Sequence, residues 1–150
     1  MSEAFQDKYA DEYSHCYGCG KNNLAGHKLK SYWNGVDTIA KFTIERKYSG
    51  GVPDHVYGGM IASLFDCHGT ASASAFSNRL RKEAVGESQG LIRFVTGSLA
   101  VRFLRPTPIG IELTVNGSLK SVVGRKVEVS MTLYANSIEC ATAEMLAIKI

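Results

Sequence analysis

Asp66 is the residue best placed to do chemistry. It stands in Ser63-Leu64-Phe65-Asp66-Cys67-His68, inside a run from about Gly59 to Asn78 built from Met, Ile, Leu, Phe, Ala and Ser. A carboxylate in such surroundings is costly unless it is paired or hydrogen-bonded. Poorly hydrated, it can take a proton from water or attack an electrophilic carbon itself. On a helix, Gly59, Ser63, Asp66 and Thr70 share one face. That face is small and polar among apolar neighbours, which suits a lined cleft better than core packing. The alternative is a carboxylate satisfied by a nearby hydroxyl or by a cap across an interface.

Gly58-Gly59 marks the start of the same helix. The first amides of a helix have no internal partner and carry the positive end of its dipole. Glycine lets a ligand approach the backbone closely, and such amides can hold the oxyanion that forms when a carbonyl is attacked. A plain turn is the competing reading. At 1.5 Å per residue, Gly58 and Asp66 lie about 12 Å apart along one axis. One carbonyl group cannot touch both. A twofold dimer with antiparallel helices would let Asp66 of one chain face Gly58 of the other.

The elements that position these residues follow from periodicity. The helical run has no period of two and is apolar nearly all round, so it is buried. Before it, Leu29 to Trp33 reads as a strand, Asn34-Gly35 as a hairpin turn, and Ala40, Phe42 and Ile44 as the inward face of a second strand. Residues 79–92, with Arg79, Arg81, Lys82, Glu83, Gly86, Glu87 and Gly90, read as an exposed loop. Alternation then marks strands at Leu99–Leu104, Ile111–Lys120, Val127–Tyr134 and Glu139–Lys149, each with one wet and one buried face. One helix must cover the dry face of about six strands. The expectation is an α+β chain, a single domain over 1–150, with an antiparallel sheet wrapped around one long central helix: the hotdog fold.

Composition narrows the classes. The 150 residues are 45% hydrophobic and 21% charged with a formal charge of +3, which reads as globular and argues against nucleic-acid binding. The N-terminus lacks the apolar core of a signal peptide, and no stretch approaches the roughly 20 apolar residues of a membrane span. The expected location is the cytoplasm, with the four cysteines as thiols.

Tyr57-Gly58-Gly59 followed by Leu64-Phe65-Asp66 resembles the His-Gly-Gly…Leu-x-Asp helix start of hotdog-fold thioesterases. The similarity is closest to the phenylacetate-degradation type and the related mammalian acyl-CoA thioesterases. Phe103-Leu104-Arg105-Pro106-Thr107-Pro108-Ile109-Gly110 resembles that family's strand ending in an Arg-Pro turn, and His15-Cys16-Tyr17-Gly18-Cys19-Gly20 resembles the Cys-x-x-Cys-Gly opening of one branch. The resemblance implies hydrolysis of an acyl-CoA to free acid and coenzyme A, by a homodimer or dimer of dimers with sites at the interface. Coenzyme A would enter as part of the substrate, with no separate cofactor. Asp66 would be general base or nucleophile, the Gly58 amide the oxyanion hole, and Thr96 a hydroxyl that orients water. Thr70 matches a site threonine of some members. Tyr57, Gly59, Ser63 and His55 are expected around the substrate. The family's His before the glycine pair is Tyr57 here, and its upstream Asn or Gln falls on Gly51; His55 is the nearby candidate to replace that donor.

Among the other groups, Arg79, Arg81, Lys82, Arg105, Arg125 and Lys126 could meet phosphates, Arg105 and Arg125 first. His15, Cys16, Cys19 and His27 contain one Cys-x-x-Cys with loose histidines and no second pair, so a turn rather than a metal site is expected. Cys67 and Cys140 read as inert core thiols, and His68 as a satisfied core or interface histidine. Two other functions stay open: a hydratase or dehydratase pairing His55 with Asp66, and a non-catalytic acyl-CoA binder.

Overall fold

Gly58–Val85 form one 28-residue helix, α1, about 42 Å long at 1.5 Å per residue. The computed structural model describes residues 3–85 and 91–150, without the side chains of 83–85. Six strands surround α1: β1 (Ser31–Asn34), β2 (Asp37–Thr43), β3 (Phe94–Phe103), β4 (Glu112–Val123), β5 (Lys126–Ala135) and β6 (Ile138–Lys149). They form one sheet in the order β1-β2-β4-β5-β6-β3, with antiparallel pairing throughout.

The sheet's inner face is set by alternation. Leu113 and Val115 on β4, Val127, Val129, Met131 and Leu133 on β5, and Ala141, Ala143, Met145 and Ala147 on β6 are all buried. They pack with Met60, Ile61, Leu64 and Phe65 of α1, and each fully buried large side chain contributes roughly 1.5–3 kcal/mol. Small helix residues let the sheet come close: a Cβ at Gly69 would stand 2.6 Å from the Met145 side chain. More of the helix is covered by the N-terminal segment, which folds as 3-10 turns. Phe5 packs on Ala71 and Ala75 and meets Trp33 edge-on. The expectation of a helix buried nearly all round therefore holds, with two kinds of cover.

The structure corrects several boundaries. The helix continues through 79–85, so Arg79, Arg81 and Lys82 are helical and not in a loop. Arg79 lies over the Trp33 ring, 3.2 Å from its centre, and donates to the carbonyls of Gly35 and Val36. That aromatic face and those carbonyls occupy the charge expected to meet a phosphate. Gly86, Glu87 and Gly90 of the expected loop lie outside the described residues. Leu29 is buried but precedes β1, and the hairpin turn falls on Gly35-Val36, with Gly35 at φ 68°. β3 begins five residues before the expected Leu99, at Phe94, and lies at a sheet edge with much of its surface exposed.

Candidate active site

Asp66 is half-buried on α1, next to fully buried Phe65 and Cys67. Thr96 on β3 donates its hydroxyl to Asp66 Oδ1. The strand is shaped for this contact. The pairing of β3 with β6 slips between Thr96 and Ser98, leaving Gly97 as the extra residue of a bulge. A Cβ at Gly97 would lie 2.9 Å from Ile148 Cγ1 and 3.1 Å from the Leu146 carbonyl. A bulge re-aims the adjacent side chain, and here that side chain is Thr96.

The other two polar members of the expected stripe are turned elsewhere. Ser63 donates to the Gly59 carbonyl at 2.9 Å, and Thr70 to the carbonyls of Asp66 and Cys67 at 3.2 and 3.3 Å. Hydroxyls one turn on commonly bond back to the helix backbone in this way. Neither hydrogen-bonds to the Asp66 carboxylate.

Gly58 lies elsewhere, in the wall of a cavity of about 620 Å³. The cavity runs between the segment from Gly50 to the helix start and the strand end Phe103–Thr107, and its walls are largely apolar. Among the described residues, no acceptor meets the amides of Gly58 and Gly59; the first helix-start bond runs from the Met60 amide to the Tyr57 carbonyl. Aromatic rings explain the glycine pair sterically: a Cβ at Gly58 would stand 3.2 Å from the Phe103 ring and one at Gly59 2.4 Å from the Tyr57 ring. Tyr57 in turn stacks on Tyr48. His55 and Thr107 also line the cavity, and His55 Nδ1 and Thr107 Oγ1 are buried without a hydrogen-bond partner among the described residues. Such groups in a native fold ask for an explanation. Asp66 does not line this cavity.

The two arginines separate. Arg105 lines the cavity and donates to the Glu139 carbonyl at 2.8 Å. Arg125 donates twice to the Lys149 carbonyl, 3.1 and 2.7 Å. Lys149 pairs with Phe94, at the far end of β3 from Phe103, about 30 Å away at strand rise.

His68 lies in a buried polar chain. Gln6 donates to Ser31 Oγ at 3.0 Å, Ser31 Oγ lies 2.8 Å from His68 Nδ1, and His68 Nε2 lies 3.1 Å from Thr38 Oγ1, which donates to the Gly117 carbonyl. These directions assign Nε2–H to the imidazole, since Ser31 has its own proton free for Nδ1. Burial pushes the His68 pKa down to about 3. Reading the sequence missed Gly97, Phe103 and Thr107. Phe103 and Thr107 stood in the strand-end motif without a role of their own, and Gly97 lay before the expected strand start at Leu99, where nothing marked it as a strand glycine.

This architecture, one long helix held by a single antiparallel sheet, is a hotdog fold. The chain belongs to the thioesterase superfamily, which it matches over residues 54–142, more than half its length. It is a thioester hydrolase by that membership. A thioesterase superfamily protein from Shewanella loihica is 43% identical, with 95% of this chain and 99% of that one aligned and a TM-score of 0.70. The PaaI protein of the Escherichia coli phenylacetic acid degradation operon is similar in fold, at 13% identity, TM-score 0.66 and coverage of 83% and 80%. So is a Streptococcus mutans protein solved with acetyl-CoA, at 16% identity, TM-score 0.64 and coverage of 79% and 85%. No curated protein matches significantly.

Proposed function

We propose that the chain hydrolyses an acyl-CoA thioester in a site shared by two copies of itself. Asp66, held by Thr96, takes a proton from a water that attacks the thioester carbonyl carbon, or attacks that carbon directly. The developing oxyanion accepts from the Gly58 amide at the helix start. The C–S bond then breaks, and coenzyme A leaves as a thiolate that takes up a proton; on the direct route the acyl group is left on Asp66 as a mixed anhydride, which water hydrolyses to the free acid and the regenerated carboxylate. The cavity beside Gly58 suits the acyl group, and Arg105 at its wall suits a phosphate. The acetyl-CoA held by the Streptococcus mutans protein illustrates such a ligand on this fold.

The observation that carries the reading is the division of the parts. The carboxylate has its hydroxyl partner, the unbonded amides have the cavity, and the two lie eight residues, about 12 Å, apart along the helix of one chain. The edge strand supplies a means of joining them. β3 leaves one ladder of backbone groups unpaired and exposes Val95 and Phe103, which a protein ordinarily blunts or covers. Two β3 strands paired antiparallel about an axis between Leu99 and Ala100 would set Thr96 opposite the partner subunit's Phe103. Asp66 of one copy would then approach the Gly58 end of the other.

The test is thiol release across short, long and aromatic acyl-CoAs. Asp66→Asn is expected to fold normally and to lose turnover by about 10²–10⁴-fold. Undiminished turnover in that variant removes the mechanism.

A further inference from the structure

We propose that Cys16, Cys19 and Cys67 form a thiolate site for zinc or a similar thiophilic divalent cation, which staples the N-terminal segment to α1 one residue from Asp66. This departs from the metal-free turn expected from spacing alone. The missing ligand was Cys67, more than forty residues away in sequence and expected to be an inert core thiol.

Geometry makes the case. The three sulfurs lie within 4.8 Å of one another, and those of Cys16 and Cys67 are 3.8 Å apart. A tetrahedral centre with Zn–S bonds of about 2.3 Å has an S···S edge of roughly 3.8 Å. The loop is shaped around the sulfurs. A Cβ at Gly18 would stand 2.3 Å from Cys67 Sγ, and one at Gly20 would stand 2.4 Å from the Cys16 nitrogen. Three thiols also leave one over in any disulfide pairing.

A divalent cation bound there replaces the thiol protons, and three thiolates around it leave one net negative charge. Cys19 and Cys67 are buried, whereas Cys16 is half-exposed, so water or a small anion can complete the tetrahedron from the solvent side.

The test is metal analysis of the protein expressed with zinc present, followed by anaerobic exchange of the reduced protein with cobalt(II). The expected result is about one zinc per chain and tetrahedral cobalt bands with thiolate charge transfer. Cys19→Ser and Cys67→Ser should lose both, Gly18→Ala should weaken binding with every ligand still present, and Cys140→Ser should bind like the parent. A chelator should lower the melting temperature of the parent but not of Cys19→Ser. Reduced parent protein that takes up neither metal overturns the proposal, as does equal uptake by a variant with all three cysteines changed to serine. A disulfide among the three in metal-free protein purified without oxidant also overturns it. These readouts need no substrate, so they stand apart from any failure of the thioesterase reading.

Discussion

Thr96 on the edge strand donates its hydroxyl to the carboxylate of Asp66 on the helix, and this bond ties the outermost strand to the middle of the core. A hydrogen bond to a charged group contributes about 1.5–3 kcal/mol. Thr96→Val is therefore expected to lower kcat roughly 10–100-fold with little change in KM, and Thr96→Ser to restore most of it. A Thr96→Val enzyme with parental kcat, or one that Thr96→Ser does not rescue, removes the positioning role. Gly97→Val should mimic Thr96→Val while Thr96 is still present, because its side chain would press on Ile148 and the Leu146 carbonyl. Such overpacking costs about 1–3 kcal/mol, so the melting temperature should fall as well.

A site shared between subunits can be tested by complementation. Asp66→Asn removes the carboxylate and Gly58→Pro removes the amide N–H at a position where helices accept proline, its ring also pressing on Phe103. Each variant alone should be nearly inactive, with loss of one oxyanion donor costing about 2.7–4 kcal/mol. Mixed and allowed to exchange subunits, they should recover about a quarter of parental activity, because half the dimers are mixed and each has one intact site. No recovery after proven exchange would place both groups in the same chain's site.

His55 offers a trade between stability and turnover. Its Nδ1 is buried at the cavity without a partner, and an unmet buried polar group costs about 1–3 kcal/mol. If the group is retained to polarise the substrate carbonyl, His55→Leu should leave the melting temperature unchanged or higher while kcat falls at least tenfold. Parental kcat in a stabilised His55→Leu protein would show that the histidine is not needed.

His68 predicts a dependence of stability on pH. Its folded pKa is depressed to about 3 by burial, against an ordinary value of about 6.5. Between these values the unfolded chain takes up a proton that the folded chain refuses. The contribution is thus complete above about pH 6.5 and falls as pH drops toward 3, at up to about 1.4 kcal/mol per pH unit. Urea titrations from pH 7 to 4, with chelator present, should show a shallower slope for His68→Gln than for the parent. Equal slopes would mean that His68 is charged in the folded protein.

The sequence determined the elements and their order. Period-two alternation from Ile111 onward and the unbroken apolar run after Gly58 fixed strands and helix, because burial of one sheet face and of a whole helix leaves those two patterns. It also singled out Asp66, since a carboxylate in an apolar run is unusual wherever the run ends up. Tertiary structure decided what that carboxylate touches. Thr96 and Gly97 lie thirty residues downstream of it, and no local pattern encodes the bulge that aims one at the other. The same holds for Cys67 beside Cys16 and Cys19, and for Arg79 on Trp33. Periodicity reports which side of an element faces the core; which residue meets which across the core depends on register, twist and the path of the N-terminal segment, and these exist only in the folded chain.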